Sequence, residues 1–199
     1  MTRAGRLAPA GYTIVELLFV LGTAGTLAGV AVPLALAGLD DFRTAYAARY
    51  ISARLQRTRM DAIVRSADVG LQVSTVSGGY VYAVYADGNR NGVRTLDIQR
   101  GIDKRLLPPE RLPDQFTGVE FGAIPGLPAV DSGSTPPGSD PIRIGSANVV
   151  TFSADGTSSS GSLYIRGRRN AQYVVRIYGQ TGKTRVLKFD VRSRQWKPL

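Results

Sequence analysis

Gly11-Tyr12-Thr13-Ile14-Val15-Glu16-Leu17-Leu18-Phe19-Val20 opens an apolar run that continues to Leu39. From Leu17 to Leu39 there are 23 consecutive residues without a charge. As a helix at about 1.5 Å per residue this is roughly 35 Å, enough to cross a bilayer core with some tilt. Glu16 stands just inside its start. An ionised carboxylate at bilayer depth costs on the order of 2.5–3.5 kcal/mol on insertion scales, so it calls for a partner. A short basic peptide carrying Arg3 and Arg6 precedes the run and ends in Gly11. An ordinary secretory signal has an apolar region of about 7–15 residues with a small-residue cleavage site after it. Here the region is too long and holds a carboxylate near its start. A plain membrane anchor fits the length, but gives no reason for Gly11 directly before Tyr12 or for Glu16.

The arrangement resembles the prepilin signal of type IV pilins and type II secretion pseudopilins. In that family a basic leader ends in Gly, and the mature chain begins with a large apolar residue and has Glu at its fifth position. The resemblance implies cleavage by a prepilin peptidase between Gly11 and Tyr12, N-methylation of the new amine on Tyr12, and a subunit-assembly role for Glu16. It implies no catalytic residue, no cofactor and no metal in this chain, which would be an enzyme's substrate and not itself an enzyme. The expected organisation is a leader at 1–11, a membrane and filament-core helix at 12–39, an amphipathic continuation at 40–67 and a periplasmic β-rich domain at 68–199.

The rest of the chain supports an α+β reading. Beyond Asp40 and Asp41, Ala47, Ile51, Leu55, Ala62 and Ile63 recur near helical spacing, and no Gly or Pro interrupts Leu39 to Ala67, so one long helix is expected, its C-terminal half packed on a domain. Pro33 inside the apolar run removes one helical hydrogen bond and is expected to bend or loosen the helix there. After Ser66 the period switches to two: 69–76 and 79–86 read as strands around a Ser77-Gly78-Gly79 turn. Residues 104–148 hold most of the prolines and read as long connections around a short strand at 118–121. Strands resume at 149–152, 162–165, 173–178 and 185–191. A helix followed by strands predicts an antiparallel sheet curled round one end of the helix.

Charge and residue absences limit the chemistry. The chain has 25 Lys+Arg against 15 Asp+Glu, no Cys and no His. That excludes a thiol nucleophile, a disulfide framework, a Cys/His zinc site and a histidine base. After Ser160 there are ten basic residues against one acid, Asp190. Such a quarter suits an anionic partner or a solvated sheet face. Gly182-Lys183-Thr184 lacks the first glycine of a phosphate-binding loop, Ile177 standing in its place. Asp87-x-Asn89-x-Asn91-Gly92 matches half of a calcium loop, but Ile98 falls where the bidentate acid belongs, so a turn is expected. Arg43, Arg49, Arg54 and Arg57 follow the apolar run, so a naive positive-inside count opposes a cytoplasmic N-terminus. That orientation rests on the resemblance.

Two more stretches narrow the resemblance to the GspH/FimT minor pilins. Leu55 to Arg65 is similar to that family's helix end, and Phe152 to Gly161 with Gly182-Lys183-Thr184-Arg185 to its C-terminal half; the middle, from about Thr95 to Ala147, carries no match. The implied function is a minor pilin or pseudopilin subunit of a type II secretion pseudopilus or a type IV pilus. Its partners would be other pilins, prepilin peptidase and inner-membrane lipid, and its place the bacterial inner membrane, with a cytoplasmic N-terminus and a periplasmic domain. Some FimT-like pilins take part in DNA uptake. The alternatives are thus weak DNA binding through Lys183, Arg185, Arg166, Arg168 and Arg169, or an anchored periplasmic domain without filament role.

Overall fold

The structure is a computed structural model and describes residues 11–145 and 147–199; the leader up to Ala10 lies outside them. A single helix, α1, runs from Ile14 to Arg65 and continues through Pro33. The chain divides into two compact units, residues up to Leu39 and Asp40–Leu199. In the first unit α1 is long and apolar enough to cross a membrane, by length and composition. Its hydroxyls turn inward on the helix: Thr23 donates to the carbonyls of Phe19 and Val20, and Thr26 to that of Thr23. Hydroxyls bonded in this way leave no unmet donor for lipid.

In the second unit α1 buries Thr44, Ala48, Ile51, Leu55, Thr58 and Ala62, alternating steps of three and four that lay one stripe on the sheets. The small residues let the backbone approach closely. Ile51 and Leu55 are wholly buried, each contributing about 1.5–3 kcal/mol of apolar transfer. Ile63, expected in this stripe, sits at its edge and is 37% exposed. The helix stops at Arg65, two residues before the expected boundary. Ser66 adopts φ 50, its N–H reaches the Ile63 carbonyl and that of Ala67 reaches Ala62, a Schellman closure built on serine.

The strands are β1 (Val69–Val76), β2 (Gly79–Ala86), β3 (Lys104–Arg105), β4 (Glu120–Phe121), β5 (Ile142–Ile144), β6 (Val149–Phe152), β7 (Gly161–Arg166), β8 (Gln172–Tyr178), β9 (Lys183–Asp190) and β10 (Gln195–Pro198), with short helices α2 (Thr95–Gln99) and α3 (Leu112–Gln115). In place of one curled sheet there are two, ordered β3-β2-β1-β6 and β10-β9-β8-β7-β4, with β5 also on β7. Every pairing is antiparallel. Tyr80 and Tyr82 of β2 meet Phe121 of β4 edge-on at 6.1 Å, joining the two sheets.

The larger sheet has a core on each face. Leu163, Ile165, Tyr173, Val175 and Ile177 join the helix cluster; Tyr164, Val174, Leu187 and Phe189 point the other way, against Leu127. Residues 122–140 form a strap over that second face. Trp196 donates from its indole N–H to the Pro128 carbonyl at 3.2 Å. Buried Gln172 anchors the strap's start: its amide donates to the Gly122 carbonyl and its oxygen accepts from the Ile124 N–H. The Asp87 loop is a turn, as expected, its carboxylate accepting the N–H groups of Asn89, Arg90 and Gly92. Burial opposes this charge, but those main-chain bonds hold Asp87 below the usual carboxylate range.

Candidate functional site

The start of α1 is built by Thr13. Its Oγ1 accepts the Glu16 N–H at 3.2 Å, and its carbonyl accepts the Leu17 N–H at 3.1 Å. Thr13-Ile14-Val15-Glu16 therefore has the spacing of a capping box, with Glu16 as the third helical residue. Sequence reading missed this second use of Glu16, although the Thr-x-x-Glu signal was there. A carboxylate in the first turn also complements the positive end of the helix dipole. Gly11, Tyr12 and Thr13 precede the helix without regular structure, and Tyr12 is 78% exposed. Among the described residues the Glu16 carboxylate has no hydrogen-bond partner.

The five basic candidates fall into two groups. Arg166 ends β7, and Arg168 and Arg169 form the turn to β8; Lys183 and Arg185 open β9, at the far end of β8. Seven residues of β8 separate the groups by about 20 Å. One shared site at neighbouring turns is therefore not what the topology builds.

At the β7–β8 turn, the Asp40 carboxylate is the organising group. It accepts the N–H of Arg168 at 3.0 Å and of Arg169 at 2.8 Å. Gly167 is required there: a Cβ would lie 2.3 Å from Thr44 Oγ1 and 2.7 Å from an Asp40 oxygen. Asp41 next to it takes Lys188 at 2.7 Å and the Tyr173 hydroxyl at 2.9 Å. The Arg166 guanidinium pairs with Glu120. A cleft of about 590 Å³ opens here, lined by Gly118, Glu120, Arg166, Arg168 and Asn170.

At the other end, Arg143, Ser162, Arg176 and Arg185 share one row across β5, β7, β8 and β9. Like charges directly opposite repel, and Asp131 from the strap relieves this pair by taking Arg176 Nε at 2.6 Å. Lys183 and Arg185 are exposed. Arg143 and Asp131 were not singled out from sequence; only the register shows their place. Tyr164 and Tyr173 are buried core residues, and Tyr178 lies under the Arg176 guanidinium at 5.6 Å. Gly182-Lys183-Thr184 enters a strand, so no helix N-terminus stands ready for a phosphate. Among the described residues no group of three or more His, Cys, Asp or Glu side chains is placed to hold a metal ion.

A third cluster ties α1 to the first sheet. Glu110 accepts Tyr50 at 2.6 Å and Tyr82 at 3.0 Å, and pairs with Arg54. Burial raises the Glu110 pKa, but the hydroxyls and then the Arg54 charge outweigh it and hold the group below its ordinary value.

A long apolar N-terminal helix running into a domain of antiparallel sheets is the arrangement of a type IV pilin-like protein. The model of the type II transport protein GspH family matches residues 47–181, and the chain belongs to that family. The match runs straight through the middle that carried no resemblance in the sequence reading. Pilin-like protein PilA1 of Thermus thermophilus is 46% identical over 83 residues, 40% of this chain and 51% of that protein. The chain thus spans about half the length of that relative. No solved structure matches.

Proposed function

We propose that the chain is a minor pilin or pseudopilin, cut by a prepilin peptidase between Gly11 and Tyr12 and then assembled into a type II secretion pseudopilus or a type IV pilus. The observation that carries this is the junction at Thr13 between chain without regular structure and the helix. Cleavage after Gly11 leaves a free amine, the group to be N-methylated, on Tyr12, in unstructured chain before a capped helix. Glu16 then lies one helical turn further on. In lipid, an amine from one subunit and the Glu16 carboxylate of the next neutralise two costly charges and fix the axial step between subunits. The helices pack together, with the Asp40–Leu199 domain on the periplasmic side of the inner membrane. Family membership in GspH and the likeness to a pilin-like protein support this reading.

The test is intact-mass analysis after co-expression with a prepilin peptidase. A chain shortened by the 11 residues up to Gly11 and beginning at Tyr12 is expected, and Gly11→Val should block it. A full-length product, or a cut after Leu39, refutes the proposal.

The row of Arg143, Arg176 and Arg185 favours a second reading, weak binding of DNA in uptake. Salt dependence would be steep, nearly one unit of slope per phosphate contact. In fluorescence polarisation with the full chain, K183A/R185A should weaken the binding of a short duplex; equal binding by both removes those residues as the site.

A further inference from the structure

We infer that the loop from Asp87 to Arg105 and the β8–β9 turn form one basic track that seats the phosphate backbone of double-stranded DNA. This rests on the DNA-uptake reading, and adds to Lys183 and Arg185 a larger group of cations from the first sheet. The loop holds five basic residues against three acids, and folding sorts the two signs by side. Asp103 is 2% and Asp97 7% exposed. Asp103 accepts the N–H groups of Gly88 and Arg94 at 3.1 and 2.9 Å, and Asp97 takes the Asn91 side-chain amide at 3.0 Å. Asp87 is occupied by the main chain of its own loop. Arg90, Arg94, Arg100, Lys104 and Arg105 are all exposed, and among the described residues none of them is ion-paired. Acids turned inward under a shell of cations make an anion-binding face. Arg94 and Arg100 flank α2, about 9 Å apart along its axis, close to three steps of about 3.4 Å along one DNA strand.

The loop and the β8–β9 turn border the same end of the Asp40–Leu199 domain, and a chain of contacts joins them. Asp87 donates its N–H to the Asp68 carbonyl at 2.9 Å, and the Asp68 carboxylate takes the Ser153 hydroxyl. The Ser153 carbonyl takes the Gly156 N–H at 2.9 Å. Gly182 meets the Gly156 carbonyl so closely that a Cβ on it would lie 2.2 Å away. Lys183 follows at once and Arg185 two residues on, both exposed. Asp155 is the exposed acid along this line, its Oδ1 bonded by Thr157, and it weakens the track at that point. Duplex is the form the surface suits. Residues 87–105 contain no aromatic ring on which an unpaired base could stack, whereas a duplex carries one charge per about 1.7 Å of its axis. At five residues, α2 is too short to read a groove, so the contacts are to phosphate and independent of sequence. A second copy offers little acid in return, since Asp41, Asp61, Glu110, Glu120, Asp131 and Asp190 are each paired within the chain.

The experiment is fluorescence polarisation of the full chain, in neutral detergent, with a short labelled duplex between about 50 and 200 mM salt. Five or six phosphate contacts give wild type a slope of about −5 in log affinity against log salt. R94A/R100A should make that slope shallower by about 2 units. Both main-chain N–H groups keep their acceptors in this variant, so the thermal midpoint should hold. K183A/R185A should lose a similar amount, and the two changes together about 4 units. D155N, which keeps an acceptor for Thr157, should tighten binding at low salt. No duplex binding by wild type at about 50 mM salt overturns the DNA reading and the track with it. Binding by R94A/R100A at the wild-type level, with loss in K183A/R185A, overturns the track and leaves the DNA reading standing. Equal or weaker binding by D155N breaks the track into unconnected halves and overturns it as well. So does a glutamate-rich peptide bound by wild type and lost in R94A/R100A beside equal duplex binding, which assigns the loop to an acidic protein.

Discussion

Asp40→Asn isolates the contact that fastens the helix to the β7–β8 turn. The carboxylate is 8% exposed and receives two main-chain donors on separate oxygens. Hydrogen bonds to a charged acceptor contribute about 1.5–3 kcal/mol each. Asparagine keeps one acceptor and turns the other into an NH2 facing an N–H, so one bond is lost and one donor is left facing another. The expected loss is about 2–3 kcal/mol, or about 5–10 °C in midpoint for a domain of this size. Asp40→Ala removes both bonds and should cost more. Thermal unfolding of the full chain in neutral detergent gives the midpoint, and amide exchange gives the location. Exchange at Arg168 and Arg169 should accelerate before that of β8. A midpoint shift under about 1 °C, or unchanged protection of those two amides, refutes the clamp.

Gly167→Ala should destabilise comparably, since its Cβ would lie 2.3 Å from Thr44 Oγ1; pairing it with Thr44→Ala should recover part of the loss, and no recovery would place the strain elsewhere. Glu110→Gln should cost about 2–3 kcal/mol at neutral pH. The Glu110 pKa is lowered in the folded state from 4.5, so its contribution is present above that value and lost as pH falls through the folded one. The gap between wild type and variant in denaturant midpoint should therefore close in acid, and a gap independent of pH down to about 3 would refute the assignment. Glu16→Val should leave membrane insertion intact and lower filament incorporation; incorporation at the wild-type level excludes Glu16 as the register contact.

Periodicity carried the long elements. α1 was legible because apolar residues ran unbroken to Leu39 and then recurred at helical steps, and β1, β2, β7, β8 and β9 because alternation and β-branched residues coincide there. Of the short strands, β4 and β6 were expected at 118–121 and 149–152, whereas β3, β5 and β10 were not. Lys104 and Arg105 of β3 are both exposed and carry no pattern, Ile142-Arg143-Ile144 of β5 follows a proline-rich stretch, and Gln195-Trp196-Lys197 of β10 reads as charged tail. The site was legible only where contacts are local. Thr13 and Glu16 are three residues apart, whereas Asp40 meets its partners across 128 and 129 residues and Glu110 meets Tyr50 across 60. No spacing rule reaches so far, and Asp40 and Asp41 looked like mere punctuation after the apolar run. The proline-rich middle was opaque for another reason: the strands it contributes, β3, β4 and β5, are only two or three residues long, and the strap at 122–140 lies on a sheet face, so it shows neither period.

The strap over the outer face gives the domain a graded resistance to opening. Residues 122–140 are held mainly by Leu127, the Trp196 indole, the Gln172 amide and the Asp131–Arg176 pair, while the helix cluster lies on the opposite side of β7, β8 and β9. The strap can therefore peel away as a sub-global unit with the helix side still closed. Native-state exchange should register two steps, the first ending at the sheet. Proteolysis in the Ser132-Gly133-Ser134 stretch would then nick the chain without releasing the domain, since both fragments stay anchored through the strands they contribute to the same sheet.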